Sequence, residues 1–552
     1  MSDRLRTGGR ILVDALLVHG ADRLFCVPGE SYLDVLDALY DSPEIDVVVA
    51  KHEGAAANMA EADGKLTGRP GLCCVTRGPG ATHASVGVHT AMQDCTPMIL
   101  FIGQVERGFR DREGFQEVDY RAMFAPLAKW VAEIDSAARI PEYLARAFQC
   151  ATSGRPGPVV LSLPEDMLAD TVAVADTRRY TPVQAAPRDA DMATLRNQLL
   201  QARAPLLVLG GSSWPLAATA AIQRFAESFS LPVAASFRRQ DLFDNAHDNF
   251  AGHLALGISP TLAARVVAAD LLIVVGARLN EIATGGYQML TPPNLAARLI
   301  HIHPDPSALS RVYQADLPIA SGVENAALAL AALAAPGEVA WRGLAAAMHA
   351  EFVRFASPGA VAAPPRGVDM AAATAHLSQT LPGDAIVTNG AGNFTVWLHR
   401  FYRYRQPHTE LAPTSGSMGY ALPAALAAKR RFPERTVVCV AGDGEFLMYP
   451  QELATALQFN AAIVVLVVNN AMYGTIRMHQ ERRFPGRISA TRIEGPDLVA
   501  LAQAFGAYAE RVERTDAFGP AFARAVAAGR PALLELVVDP DQITPTLRLS
   551  AP

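Results

Sequence analysis

The chain has 552 residues, half of them hydrophobic and 18% charged, and carries a formal net charge of −6. That length is too great for one core and points to three or four domains of about 150 residues each. The mild acidity excludes a global attraction to nucleic acid or to an anionic membrane, so no partner of either kind is expected.

Near the N-terminus, Asp14 and His19 interrupt the apolar run that opens at Ile11, and no small-residue cleavage site follows. An amphipathic helix fits better than a signal peptide. The longest apolar stretch, residues 461–468, falls far short of the about 20 residues needed to span a bilayer. Six cysteines (Cys26, Cys73, Cys74, Cys95, Cys150 and Cys439) show no CxxC spacing and sit mostly in apolar surroundings. They read as reduced core thiols, and a cytoplasmic protein is expected.

Residues 1–170 alternate strand and helix signals, with strands expected over 24–27, 47–50, 72–76, 98–102 and 159–163. Pro28, Gly29, Glu30 and Ser31 follow the first strand, and a Gly78–Thr82 turn follows the third. Both lie at carboxyl edges, where open α/β sheets bind ligands. The sequence Lys51-His52-Glu53-Gly54 closes the second strand. A zinc-protease motif would need His four residues after His52; that position is Ala56, so the motif fails. Glu53 is equally explained as an acidic residue at the positive end of a helix.

Residues 171–191 read as a linker by composition. A second α/β pattern spans 190–340, with strands expected over 205–209, 232–235, 271–275 and 299–303. Gly210, Gly211, Ser212 and Ser213 lack GxGxxG and a later acidic partner, so they read as a structural turn. His301 and His303 share one strand face, but no third ligand accompanies them. Residues 354–369 form a second linker. The third domain, 365–540, opens with a strand over 385–388 that ends in Asn389, Gly390, Ala391, Gly392 and Asn393. A Gly-rich turn over 414–419 then leads into a helix near Leu422. Each domain is expected to be doubly wound around a parallel sheet.

The densest chemistry lies in residues 436–474. Apolar runs over 436–441 and 462–468 read as buried parallel strands joined by a helix over 449–460. The first ends in Gly442, Asp443 and Gly444, the second in Asn469 and Asn470. A right-handed crossover brings Asp443 and Asn470 to one carboxyl edge. A carboxylate and an amide oxygen are hard donors suited to Mg2+, and the flanking glycines let backbone approach a phosphate. Either turn alone is also a common loop former.

GDG followed by NN at this separation resembles the fingerprint of thiamine diphosphate enzymes, and 51–83 (KHEGAAANMAEADGKLTGRPGLCCVTRGPGATH) is similar to the acetolactate synthase pattern. The resemblance covers essentially the whole chain and implies three doubly wound domains with thiamine diphosphate and Mg2+ as cofactors. It assigns the metal to the side chains of Asp443 and Asn470 and the backbone carbonyl of Met472. It gives Glu53 the cofactor's aminopyrimidine N1′, and Gly416 and Met418 the holding of the bent cofactor. Pro28 and Thr76 would line the pyrimidine. Gly392, Asn393, Gly442, Gly444, Glu445, Tyr473, Gly474 and Thr475 would surround the diphosphate end. The family's usual Gln-His pair is Asn393-Phe394 here. The resemblance further implies active sites shared between chains, hence a homodimer or homotetramer.

Substrate positions depart from the pattern. Phe115 and Gln116 match an acetolactate synthase loop, Gln116 as a hydrogen-bonding catalytic residue, with Gly29 beside them. After Gly474, however, the usual GMVxQWQ is replaced by GTIRMHQ, which sets His479 where a Trp is typical and adds Arg477 as a carboxylate or CoA-phosphate grip. The short tail after Val538 suggests a reduced lid. The expected activity is decarboxylation of a 2-oxo acid and transfer of the acyl carbanion to a carbonyl acceptor. A simple 2-oxo acid decarboxylase, a 2-hydroxyacyl-CoA lyase, a cyclic-diketone hydrolase and an inactive cofactor-binding subunit are the alternatives. FAD stays open: Gly276-Ala277-Arg278-Leu279-Asn280-Glu281 looks like the GARFDD segment of relatives that bind it, with Asn280 for the first Asp.

Overall fold

Runs such as LLIVV at 271–275 are buried on every residue, a pattern that parallel strands covered on both faces require. Three such sheets organise the chain. In the computed structural model, which describes residues 5–549, the first sheet contains β1 (Arg23–Cys26), β2 (Asp46–Val49), β3 (Gly71–Val75), β4 (Met98–Gln104), β5 (Trp130–Glu133) and β6 (Pro158–Pro164). These are all parallel, in the order β2-β1-β3-β4-β6-β5.

The middle sheet holds β7 (Pro205–Leu209), β8 (Val233–Ser236), β9 (Phe250–Leu254), β10 (Leu271–Val275), β11 (Arg298–His303) and β12 (Leu317–Ala320). Its order is β9-β8-β7-β10-β11-β12, again parallel. Alternate residues feed opposite cores: Leu207 and Leu209 enter one cluster, Leu206 and Val208 the other.

The third sheet holds β13 (Ile386–Asn389), β14 (Glu410–Leu411), β15 (Val437–Gly442), β16 (Val464–Asn469), β17 (Tyr508–Val512) and β18 (Ala532–Val537). Its order, β14-β13-β15-β16-β18-β17, repeats the winding of the first sheet. The α/β class expected from the sequence is therefore the one observed. Expected strand limits move by one or two residues, and β5, β9, β12, β14, β17 and β18 were not anticipated.

By internal packing the chain divides into two units. One runs through Val183 and takes in Leu426–Pro433 and Tyr449–Ala461; the other holds Gln184–Ala425, Glu434–Met448 and the chain from Ala462 onward. Within the first unit Arg431 grips Asp22 at 2.9 Å and Asp63 at 2.8 Å, and Arg430 reaches Asp46 at 2.7 Å. Glu452 accepts the Lys51 backbone N–H at 3.0 Å, one residue beyond the end of the 46–50 segment. Helix Glu53–Thr67 packs against helix Pro79–Asp94 through small residues; a Cβ added at Gly87 would sit 2.5 Å from the Ala57 Cβ. This close seam fixes the start of the first helix, where Glu53 stands.

The first linker carries no helix or strand between Val172 and Asp189, and the second opens on the end of helix Leu344–Phe355 and then holds a short turn, Pro358–Ala360, before the helix Met370–Thr380. All six cysteines are free thiols, five of them buried. No helix among the described residues is long and apolar enough to cross a membrane.

Candidate active site

β15 and β16 are parallel neighbours with Gly442 paired to Val468, so Asp443 and Asn470 leave the same sheet edge. The strand order reverses between β13 and β15, which places the Asn389–Asn393 turn beside them at the switch point. A cavity of about 250 Å³ opens there. It is lined by every cofactor position expected in the third domain: Gly392, Asn393, Gly416, Met418, Gly442, Asp443, Gly444, Glu445, Asn470, Met472, Tyr473, Gly474 and Thr475.

Asp443 is 5% exposed. Its Oδ1 accepts the Gly444 N–H at 2.9 Å, while Oδ2 is buried without a partner. Burial pushes this carboxyl up to about 6, against the pull of nearby backbone N–H groups. A buried, unpartnered carboxylate oxygen on a residue that lines this cavity beside Asn470 is what a hard divalent cation would satisfy, so the donor set fits the metal expected from the sequence. The loop that follows is pinned on several sides. Asn470 Oδ1 accepts the Met472 N–H at 3.2 Å, Asn469 donates to the buried Glu535 at 2.7 Å, and Tyr473 N–H bonds the Thr491 carbonyl at 2.8 Å. Asn393 accepts from the Thr475 hydroxyl at 3.0 Å, tying the first turn to the last. Phe394, standing where a polar residue is usual, packs its ring against Gly442 and makes that wall apolar.

Glu445 lines the cavity, and its carboxyl turns against Gly390, where a Cβ has no room, and accepts the Ala421 N–H at 3.3 Å. Arg238, on a left-handed backbone (φ 59°) just beyond β8, donates to the carbonyls of Gly390 and Pro413. One guanidinium thus clamps the two turns that carry Asn393 and Met418. Burial pushes the Glu445 carboxyl from its ordinary 4.5 up to about 8. A raised acid contributes stability that is full below 4.5 and is lost as pH climbs through about 8. Urea midpoints of the cofactor-free protein are therefore expected to fall between about pH 5 and pH 8, and Glu445→Gln to flatten that slope. An unchanged slope in the variant would refute the assignment.

The remaining expected residues lie in the first unit, at the switch between β1 and β3. Pro28 is exposed at the end of β1. A Cβ at Gly29 would collide with Thr76, whose hydroxyl meets Ser31 Oγ at 2.8 Å. The Cβ position of Gly80 lies 3.0 Å from Thr76 and 3.5 Å from Glu53 Oε1, which brings Glu53 and Thr76 to one spot. Gln116 sits at φ 66° with its Cβ against Gly78, and Phe115 is 74% exposed. Glu53 follows the helix cap, His52, whose Nδ1 accepts the Gly54 N–H at 2.9 Å.

Two further substrate positions lie on helix Gly474–Arg483. Arg477 is buried and committed to Glu481 at 2.5 Å, and His479 points to the exposed side of helix Gly474–Arg483. Arg482, Arg483 and Arg487 are exposed. His301 and His303 are buried, with His301 Nε2 on the Ala277 carbonyl at 2.8 Å, and no metal cluster forms around them among the described residues. Sequence reasoning missed His83, Arg238 and the segments around Val368 and Ile543 that line the cavity. The tail beyond Val538 is part of the site's wall.

Three segments of the chain match known family models. Residues 6–123 match the thiamine pyrophosphate enzyme N-terminal TPP binding domain, 192–333 the central domain and 390–536 the C-terminal TPP binding domain. The chain is 30% identical to a probable acetolactate synthase large subunit of Methanocaldococcus jannaschii, over 98% of this chain and 93% of that protein. It is 30% identical to the acetolactate synthase isozyme 2 large subunit of Escherichia coli, over 96% and 95%. The same identity, over 97% and 87%, relates it to the acetolactate synthase large subunit of Corynebacterium glutamicum.

Proposed function

The chain belongs to the thiamine pyrophosphate enzyme family, and from that premise we propose that it is a thiamine diphosphate- and Mg2+-dependent carboligase or lyase acting on 2-oxo acids. The buried, unpartnered Asp443 Oδ2 in a cavity shared with Asn470 carries the reading. When bound, the cofactor supplies the carbanion chemistry, and the protein supplies placement and protons. Asp443, Asn470 and the Met472 carbonyl would hold the cation against the diphosphate. Met418 and Gly416 would support the cofactor's bend, and the Phe394 wall would keep water from that side. Glu53 would hold and move a proton at the aminopyrimidine, with Gln116 toward the substrate.

We further read the active site as composite, with Glu53 from one copy of the chain serving Asp443 of another in a homodimer or homotetramer. A decarboxylase remains the main alternative, because the stretch after Gly474 departs from the acetolactate synthase pattern and Arg477 pairs with Glu481. The same pairing weakens the CoA-lyase reading. Flavin in the middle domain is a separate question that the absorbance of freshly purified protein answers. Incubation with Mg2+, thiamine diphosphate and a panel of 2-oxo acids, with and without aldehydes, tests the proposal. Acyloin or acetohydroxy-acid products are expected. Aldehyde alone would favour the decarboxylase, and no turnover despite cofactor binding would favour an inactive subunit.

A further inference from the structure

Glu53 has a neighbour that no motif selects. Its Oε2 lies 2.9 Å from Nδ1 of His83, a residue in the first turns of helix Pro79–Asp94. The two residues are 30 apart in sequence and meet because their helices pack tightly. A carboxylate without its proton only accepts hydrogen bonds, so in that state of Glu53 the contact requires the proton on His83 Nδ1 and leaves Nε2 as the nitrogen turned away from the carboxyl.

His52, whose ring centre is 4.6 Å from that of His83, is arranged the opposite way. Its Nδ1 is occupied by the Gly54 N–H, and burial, then the neighbouring His83, holds its pKa below the ordinary histidine range. His52 also stands against the Tyr449 ring at 5.0 Å. It packs as a wall beside His83. Exposure is graded along the pair: the Glu53 side chain is 16% exposed and that of His83 is 51%. His83 therefore links a sheltered carboxyl to water.

Resting on the function proposed above, we propose that His83 is the proton conduit between solvent and Glu53. After Glu53 has handed on its proton, the Nδ1–H bond of His83 breaks and an O–H bond forms at Oε2, while Nε2 binds a proton from water. One proton enters the ring and one leaves it, and the reverse sequence discharges the carboxyl. His83 is a positioning and relay residue that acts through Glu53.

Two measurements test this. In the cofactor-loaded enzyme, deuterium exchange at C2 of bound thiamine diphosphate is expected to slow at least about tenfold in His83→Ala, short of the roughly 100-fold or more that a group transferring the proton directly supplies. Added imidazole should restore part of the rate, with cofactor affinity within about threefold of wild type. His83→Asn, which conserves polarity, should be slow as well and guards against a folding defect in the alanine variant. In cofactor-free, histidine-labelled protein, long-range nitrogen NMR should find His83 as the Nδ1–H tautomer, shifting toward Nε2–H in Glu53→Ala. Wild-type exchange in both His83 variants, a defect that imidazole leaves untouched, or an Nε2–H tautomer in wild type would each overturn the conduit alone. Exchange at the wild-type rate in Glu53→Gln would instead remove the function on which it rests.

Discussion

Replacing Asp443 by Asn is expected to weaken thiamine diphosphate and Mg2+ binding by at least about 100-fold, since even outer-shell changes at metal sites cost 10–100-fold. The same change is expected to stabilise the cofactor-free protein. The two signs have one cause. Asp443 is 5% exposed, its Oδ2 has no partner, and burial already opposes its ionisation. A cation repays that desolvation; without one, the native state carries a buried charge whose removal relieves on the order of 1–3 kcal/mol. Titration calorimetry with the metal–cofactor pair and thermal melts of the cofactor-free protein read the two effects. Undiminished affinity in Asp443→Asn would remove the metal assignment, and Asn470 with it.

The second large effect is expected at Glu53. Glu53→Gln conserves the shape of the side chain but cannot carry a proton, so turnover should fall by about two to four orders of magnitude. Cofactor affinity should change little, because the metal end of the site belongs to other residues. Mixing then separates a composite site from one built within a single chain. If each site takes Glu53 from one copy and Asp443 from another, co-refolded Glu53→Gln and Asp443→Asn chains regain one intact site per mixed dimer. A 1:1 mixture should recover about a quarter of wild-type activity. No recovery from a mixture shown to contain mixed dimers would refute the shared site.

Much of this site was legible because its chemistry sits at strand ends. Asp443 and Asn470 follow apolar runs that could only be buried parallel strands, and their adjacency followed from the short helical crossover between them. The unanticipated strands had weaker signals. β5 (WVAE), β12 (LPIA) and β17 (YAERV) are edge strands, partly exposed, without a continuous apolar run. β18 is central, but its run is broken by Glu535, a buried carboxylate that receives Asn469 and Arg511. Contacts between distant segments were invisible for a different reason. Nothing in the spacing of His83 from Glu53, or of Arg238 from Gly390, encodes their meeting; only the packing of whole elements does. The lining role of Val368 and Ile543 was hidden in stretches whose composition reads as linker and tail.

Arg238 bears on how this protein could be divided. It belongs to the middle sheet's sequence, yet the carbonyls it holds are those of Gly390 and Pro413, in the turns that lead to the cavity-lining Gly392, Asn393, Gly416 and Met418. An excised third domain would retain its own six-stranded sheet and lose the brace on both turns. The shape of that cavity is therefore a joint property of two modules, and the middle domain is a structural component of it, not a spacer between its neighbours.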